Sequence, residues 1–416
     1  NGSIANNKAV KIDTDGKVSQ IKSTFSARTV FKDDGGNGPD NGTPMNGSDT
    51  VSYDNAIAWS QTTGMGTVFY KHNGISSKAL YARGFSFTGT GDSGTRQQHG
   101  SIALNTYRSE EPDAIWDEAN NNLCVLYKKD SNNSLEFTWT DPNTSDTSDM
   151  QDASGTIISI KSDEHIQQPR IAYCGSGRIF AICSQTSGGG TGDMPCRLLT
   201  YNSSTSTYDM NTESYAETGG SSGNSCLIFG AAYHAASGKI IITYRDGSNN
   251  NYGACRVGTI TGSGTSASIS WSSKTNFETG TGASKPNCAI DVGTGKVVVV
   301  YQKDSDSKYY SVVGSLSGTT MTWGSAVEID DETQNTGVAY ATGLVYMPTL
   351  EKMALHYTAS ETARSKVGTV SSSSNTMTWA NQLDIIADNK MYLGIQSVAI
   401  LPDTTGRSMV AYFGNE

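Results

Sequence analysis

A seven-fold recurrence of one frame limits what this chain can fold into. Its clearest copy is Asp291 to Asp304, DVGTGKVVVVYQKD: a strand end, a tight Gly-containing turn, a β-branched run closed by Tyr301, and a polar exit. The frame returns in SQTTGMGTVFY ending at Tyr70, DEANNNLCVLY at Tyr127, CGSGRIFAIC at Cys183, HAASGKIIITY at Tyr244, MPTLEKMALHY at Tyr357 and LPDTTGRSMVAY at Tyr412. Successive end positions differ by 57, 56, 61, 57, 56 and 55 residues. A fixed period in the fifties, carried by turn-flanked Val, Ile and Tyr runs, excludes helical repeats and accommodates about four short strands per unit. The expectation is an all-β, seven-bladed β-propeller of four-stranded blades.

In the best-preserved unit the four strands read as CAID around Cys288 to Asp291, KVVVVYQ from Lys296, YYSVVGSL from Tyr309 and MTWGSAVEI from Met321. The second half of the unit recurs as CRVGTITGSGTSASISW, SVVGSLSGTTMTW and SKVGTVSSSSNTMTW, ending at Trp271, Trp323 and Trp379. LYARGFSF, LEFTWTD and CRLLTYN are the expected third strands of the first three units, whose fourth strands the pattern does not define. A column of large side chains, Trp59, Trp116, Tyr173, Tyr233, Ile290, Tyr346 and Leu401, stands about eleven residues before each closing position and is expected to pack between blades.

After Tyr412 only four residues remain, so the seventh unit has its first two strands alone. Lys8 to Ile21, KAVKIDTDGKVSQI, reads as a hairpin about an Asp-Gly turn. The two extremities are therefore expected to share the last blade, the N-terminal hairpin pairing with the C-terminal strands and closing the ring. On this reading residues 1–21 are the closing hairpin, 22–54 a linker, 55–394 blades one to six, and 395–416 the first two strands of blade seven. The linker holds a long polar loop, Asp33 to Asp49, a place where function is often found.

Only 36% of the 416 residues are hydrophobic and 45 are Gly, but the regular β-branched runs argue for thin ordered sheets. A formal charge of −10 opposes attraction to phosphate backbones, so nucleic acid is not an expected partner. No apolar run approaches a bilayer span and no basic-then-apolar leader is present, so membrane insertion is not expected. The chain opens on Asn1, which suggests a processed or partial product. Its seven cysteines, Cys124, Cys174, Cys183, Cys196, Cys226, Cys255 and Cys288, include no CxxC pair, and Cys183 fills a Tyr position as a small buried hydrophobe would. Reduced thiols and assembly in a cytoplasm follow from the odd count.

Candidate chemistry is sparse. Gly89, Gly91 and Gly94 spell GxGxxG without a following helix. Thr90, Asp92 and Gly94 match a sialidase Asp-box only in part, and Ser93 lacks a triad setting. Gly219, Ser221 and Gly223 spell GxSxG without the strand and helix of a nucleophile elbow. His72, His99, His165, His234 and His356 are scattered, and Asp13, Asp15 and Gly16 only faintly suggest a calcium loop. The carboxylates Asp130, Asp246, Asp304 and Asp306 fall at turns, and no glycosidase-like pair stands out. Sequons at Asn41, Asn46, Asn132, Asn143 and Asn202 arise easily in a chain so rich in Asn, Ser and Thr. No catalytic, cofactor or metal residue is assigned.

The stretches YRDGSNNNYGACRVGTITGSGTSASISWSS and KPNCAIDVGTGKVVVVYQKDSDSKYYSVVGSLSGTTMTWGSAVEI, with the opening NGSIANNKAVKIDTDGKVSQI, resemble repeats in structural proteins of marine tailed phages, particularly cyanophages. The resemblance covers roughly residues 225 to 416 and the first 21. It implies a non-enzymatic virion component, such as a tail fibre, capsid knob or decoration, assembled in the host cytoplasm. Other virion proteins, a host cell-surface glycan and further copies of the chain are the partner classes that follow. A secreted multivalent lectin is the alternative, and a sialidase-like glycosidase ranks below it.

Overall fold

The computed structural model describes residues 10–12, 18–20, 51–72, 79–88, 95–140, 156–162, 165–186, 192–218, 226–330, 342–359, 362–386, 391–400 and 408–414. Every sheet is built from antiparallel strands, and the architecture is a β-propeller. Alternation alone does not explain the second strands. Asn122–Lys129, Lys239–Asp246 and Lys296–Lys303 are buried along nearly their whole length, because each is covered by neighbouring sheets on both faces.

Among the described residues six sheets have four or more strands, where the period predicts seven. Blade one runs Val51–Ser60, Met65–His72, Leu80–Thr88 and Thr95–Ala103. Blade two runs Ser109–Asp117, Asn122–Lys129, Ser134–Thr140 and Ile158–Lys161. Blade three runs Ile166–Tyr173, Arg178–Thr186, Pro195–Asn202 and Thr207–Met210. Blade four has Leu227–His234, Lys239–Asp246, Tyr252–Thr261 and Ser268–Trp271. Blade five has Ala283–Asp291, Lys296–Lys303, Tyr309–Ser317 and Thr320–Trp323. Blade six has Gly343–Met347, Lys352–Ala359, Thr362–Val370 and Met377–Trp379.

The expected third strands of blades one to three are thus observed, and the structure supplies the fourth strands the pattern left open. Blades four, five and six each gain a further short strand, Thr275–Glu278, Val327–Glu328 and Leu383–Ile386, beside the third.

The seventh copy corrects the count. Among the described residues its strands Met391–Ile400 and Ser408–Gly414 pair only with each other. The N-terminal hairpin forms, with Val10 opposite Gln20, but as a separate two-stranded sheet. Among the described residues it lends no strands to the C-terminal pair, so the expected four-stranded last blade and its closure by both extremities are not seen there. The C-terminal pair stands between the sixth blade and the first, Met391–Ile400 lying against Gly343–Met347 and Val51–Ser60. Blade one opens at Val51 rather than residue 55, and the last copy at Met391 rather than 395. The Asp33 to Asp49 loop lies outside the described residues.

First strands of successive blades touch one another, so they line the axis. Between blades the core divides into separate apolar clusters, for example Val298, Tyr309, Leu344 and Tyr357 at the fifth joint. The VG-containing third strands owe their glycines to the tryptophans. Gly258 faces Trp271, Gly314 faces Trp323 and Gly368 faces Trp379 across the third and fourth strands. A Cβ on Gly314 would stand 2.6 Å from the Trp323 ring, so only glycine lets the indole lie flat on the sheet.

Candidate functional site

Because the chain enters each first strand where the second strand ends, one end of every blade collects both. At this entry end the closing tyrosines Tyr127, Tyr244, Tyr301 and Tyr357 are buried with no exposed surface, and each phenol needs a partner. Tyr244 donates to Glu217 at 3.0 Å, Tyr301 to Glu278 at 2.8 Å and Tyr357 to Asp330 at 2.7 Å. None of the three acids comes from the tyrosine's own sheet. Glu278 ends a strand paired to blade four, Asp330 follows one paired to blade five, and Glu217 follows one paired to blade three. Each acid is then matched by a cation of the later blade: Arg256 on Glu217 at 2.8 Å, Lys303 on Glu278 at 3.4 Å and Arg364 on Asp330 at 2.8 Å. Burial would raise the Glu278 carboxyl, but the Gly280 N–H, Tyr301 and Lys303 outweigh it and hold it below its ordinary value. In blade two, Tyr127 instead meets Glu136 of its own sheet at 3.1 Å.

A second set of links runs nearer the axis. Three first strands carry a bulge of one design: Glu111-Pro112-Asp113, Gln168-Pro169-Arg170 and Lys285-Pro286-Asn287. The residue before each proline lies at φ of 52°, 51° and 52°, a left-handed conformation strained for a non-glycine residue. The distortion turns the residue after proline into the joint. Asp113 accepts from the Ile171 N–H of the next blade at 2.9 Å, Arg170 donates to the Phe229 carbonyl at 2.7 Å, and Asn287 donates to the Thr342 carbonyl at 2.6 Å. Thr243 completes the fourth joint by donating to the Pro286 carbonyl at 2.8 Å. Burial pushes the Asp113 carboxyl up to about 7 even with Arg170 beside it, and lowers the Lys285 amine to about 8.

At the opposite end, where first and second strands turn, five described members of the column pack between blades, and a sixth, Trp59, stands against Phe85 of its own blade with ring centroids 5.5 Å apart. Trp116, Tyr173, Tyr233, Ile290 and Tyr346 each join an apolar joint cluster. The Tyr346 hydroxyl reaches over the preceding blade's turn at Gly293, leaving no room there for a Cβ. Leu401 is outside the described residues.

The acids read as turn residues prove to be fasteners. Asp246 is fully buried and paired to Lys274 at 2.5 Å; Asp304 holds Arg245 at 2.9 Å; Asp130 holds Arg108 at 3.2 Å; Asp306 accepts from Tyr310 at 2.8 Å. His234 bonds the Gly295 carbonyl at 2.8 Å, His356 is buried against Ser365, and His165 is exposed. All seven cysteines are buried thiols outside any disulfide, Cys183 with no exposure. Among the described residues no group of three His, Cys, Asp or Glu side chains is placed to hold a metal. Asn132 and Asn202 serve turns, accepting from Ser134 and Ser204. The GxGxxG and Asp-box residues, Ser93, the GxSxG residues, Asp13, Asp15, Gly16, Asn41, Asn46, Asn143 and the side chains of His72 and His99 lie outside the described residues.

The carboxylate partners of the tyrosines escaped sequence reasoning, although each stands 23 or 27 residues before its tyrosine in blades four to six. The proline of the bulge was legible too, 15 residues before Tyr127 and Tyr301 and 14 before Cys183.

No family model matches this chain, and no curated protein matches it. Among solved structures it is similar to a protein from Lactobacillus plantarum, at 8% identity over 90% of each chain with a TM-score of 0.48. It is also similar to the β-propeller domain of Cps50 (Swd1) from Myceliophteria thermophila, at 6% identity over 84% of this chain and 94% of that one, TM-score 0.46. A Hadza microbial sialidase, Hz136, aligns at 10% identity over 80% of this chain and 72% of its own, TM-score 0.43.

Proposed function

We propose that the chain is a non-enzymatic structural protein of a phage particle, a tail fibre, knob or decoration whose propeller presents a stiff disc for host adhesion or for attachment to other virion subunits. The observation that carries this reading is where the ionisable chemistry goes. Glu217, Glu278 and Asp330 are each held by a tyrosine and a cation across a blade joint, so these charges fasten sheets to one another. A scaffold so fastened holds its loops at fixed ends, which lowers the ordering cost when they bind. The likeness of residues 225 to 416 to phage repeats supports the particle assignment.

Immunogold labelling of particles purified from lysates of the phage that encodes the chain tests it. Gold on tails or capsids is the expected result. Label confined to the soluble fraction of the lysate overturns the reading.

A further inference from the structure

The fourth and fifth joints are built alike, and one difference between them opens a groove. Glu278 and Asp330 are equivalent, since each accepts the closing tyrosine of the next blade. The residue before the acid is therefore Phe277 at one joint and Ile329 at the other. Phe277 packs edge-on against Trp323, ring centroids 5.6 Å apart, and against Tyr301 at 5.3 Å. At the next joint Tyr309 takes over the packing on Tyr357, at 5.6 Å, and no aromatic ring among the described residues covers Trp379. Beside Trp379 lies a groove of about 580 Å³, walled by Val327–Ile329 on blade five and Met377–Gln382 on blade six.

We infer that this groove is a binding site for a neutral saccharide on the cell surface. The inference rests on the adhesion reading above and names its ligand class. The chemistry of the walls selects it. The Trp379 indole is fixed, its N–H donating to Ser311 at 2.8 Å, and Met377 beneath it is buried, so a rigid apolar platform meets the opening. Thr378, Asn381 and Gln382 are exposed along the rim and bring hydroxyl and amide groups. The charge of Glu328 is already matched by Lys308 at 3.0 Å, and Lys366 donates to the Ile329 carbonyl. The two charged groups of the lining, Glu328 and Lys366, are of opposite sign, so what faces an incoming ligand is one aromatic plane edged by hydroxyl and amide groups with no net charge, which suits a sugar ring with an apolar face and equatorial hydroxyls better than a charged peptide or a phosphate. The volume falls in the range of small-molecule sites. Because Trp323 is covered by Phe277, the fourth joint does not repeat this platform.

The full chain applied to an array of neutral oligosaccharides of hexoses and N-acetylhexosamines is the direct test, followed by titration of any retained sugar. Asn381→Arg alters only the exposed rim, and Trp379→Ala removes the platform. Saturable binding to at least one sugar is expected, weakened roughly tenfold or more by each variant, with the Asn381→Arg melting temperature unchanged. Three outcomes overturn the inference: no sugar retained, binding indifferent to both variants, or variants that change only self-association in sedimentation. Gold-positive particles combined with a sugar-blind groove would reject this site and leave the particle assignment standing.

Discussion

The Tyr301 phenol, on the second strand of blade five, donates across 2.8 Å to Glu278, on a strand paired to blade four. The bond lies where both groups are mostly out of water, so its two ends are not equivalent in cost. Tyr301→Phe leaves Glu278 with Gly280 and Lys303 and is expected to cost about 1 kcal/mol. Glu278→Ala strands a buried phenol and frees Lys303, and is expected to cost about 2–3 kcal/mol. The denaturant midpoint should fall further for Glu278→Ala than for Tyr301→Phe; no shift in either would mean the joint is held by apolar packing alone.

His356 supplies a pH dependence. It is fully buried, and desolvation lowers it from 6.5 to about 4. The folded state therefore keeps it neutral while the unfolded chain takes up a proton below pH 6.5. Its contribution is fully present above that value and is lost as pH falls toward 4, by about 3 kcal/mol at most. His356→Gln is expected to flatten stability over this window, read as the slope of the melting temperature between pH 7 and 4. An unchanged slope would place the acid sensitivity elsewhere.

Gly314 and Gly318 sit four residues apart with opposite reasons for being glycine. A methyl at Gly314 would meet Trp323 and Met321 at 2.6 Å, whereas Gly318 faces open space at φ of 61°. Gly314→Ala is expected to cost about 1–3 kcal/mol through overpacking. Gly318→Asn, which tolerates that backbone, is expected to cost less than about 1 kcal/mol. Thermal unfolding of the pair checks both.

Lys296 of blade five ends in a cage of blade-six carbonyls, at 2.6 Å from Ser371, 3.3 Å from Ser372 and 2.6 Å from Ser374. Lys296→Met keeps the aliphatic stem and removes the ammonium. Amide exchange at residues 371–374 is expected to accelerate while the centre of Lys296–Lys303 stays protected. Equal acceleration in both would show general loosening of blade five.

The period was readable because burial of the second strand on both faces forces the same apolar run to reappear in every unit, from Val68 to Leu355. Tyr301 was visible for the same reason. Glu278 was not, since a carboxylate in a Gly- and Thr-rich link looks like any solvated turn, and its partner belongs to the next unit. The groove beside Trp379 was hidden for a related cause: it depends on what Ile329 fails to cover, and a missing ring leaves no pattern. The count of seven came from the seven copies of the frame, and the last copy does form its two strands; what failed is the inference that a hairpin near the start must mate with them and complete a seventh four-stranded blade. Pattern fixes which segments are strands, while edge partners are chosen by geometry that Val10–Ile12 and Val18–Gln20 do not encode.

Glu217, Glu278 and Asp330 each depart one sheet and complete the following one. A segment duplicated from first strand to last would consequently arrive with the fastener for its successor and without the one it needs itself. In tandem that shortfall is made good by the copy before it, so every fastener spans two adjacent repeats and no single repeat carries a whole one.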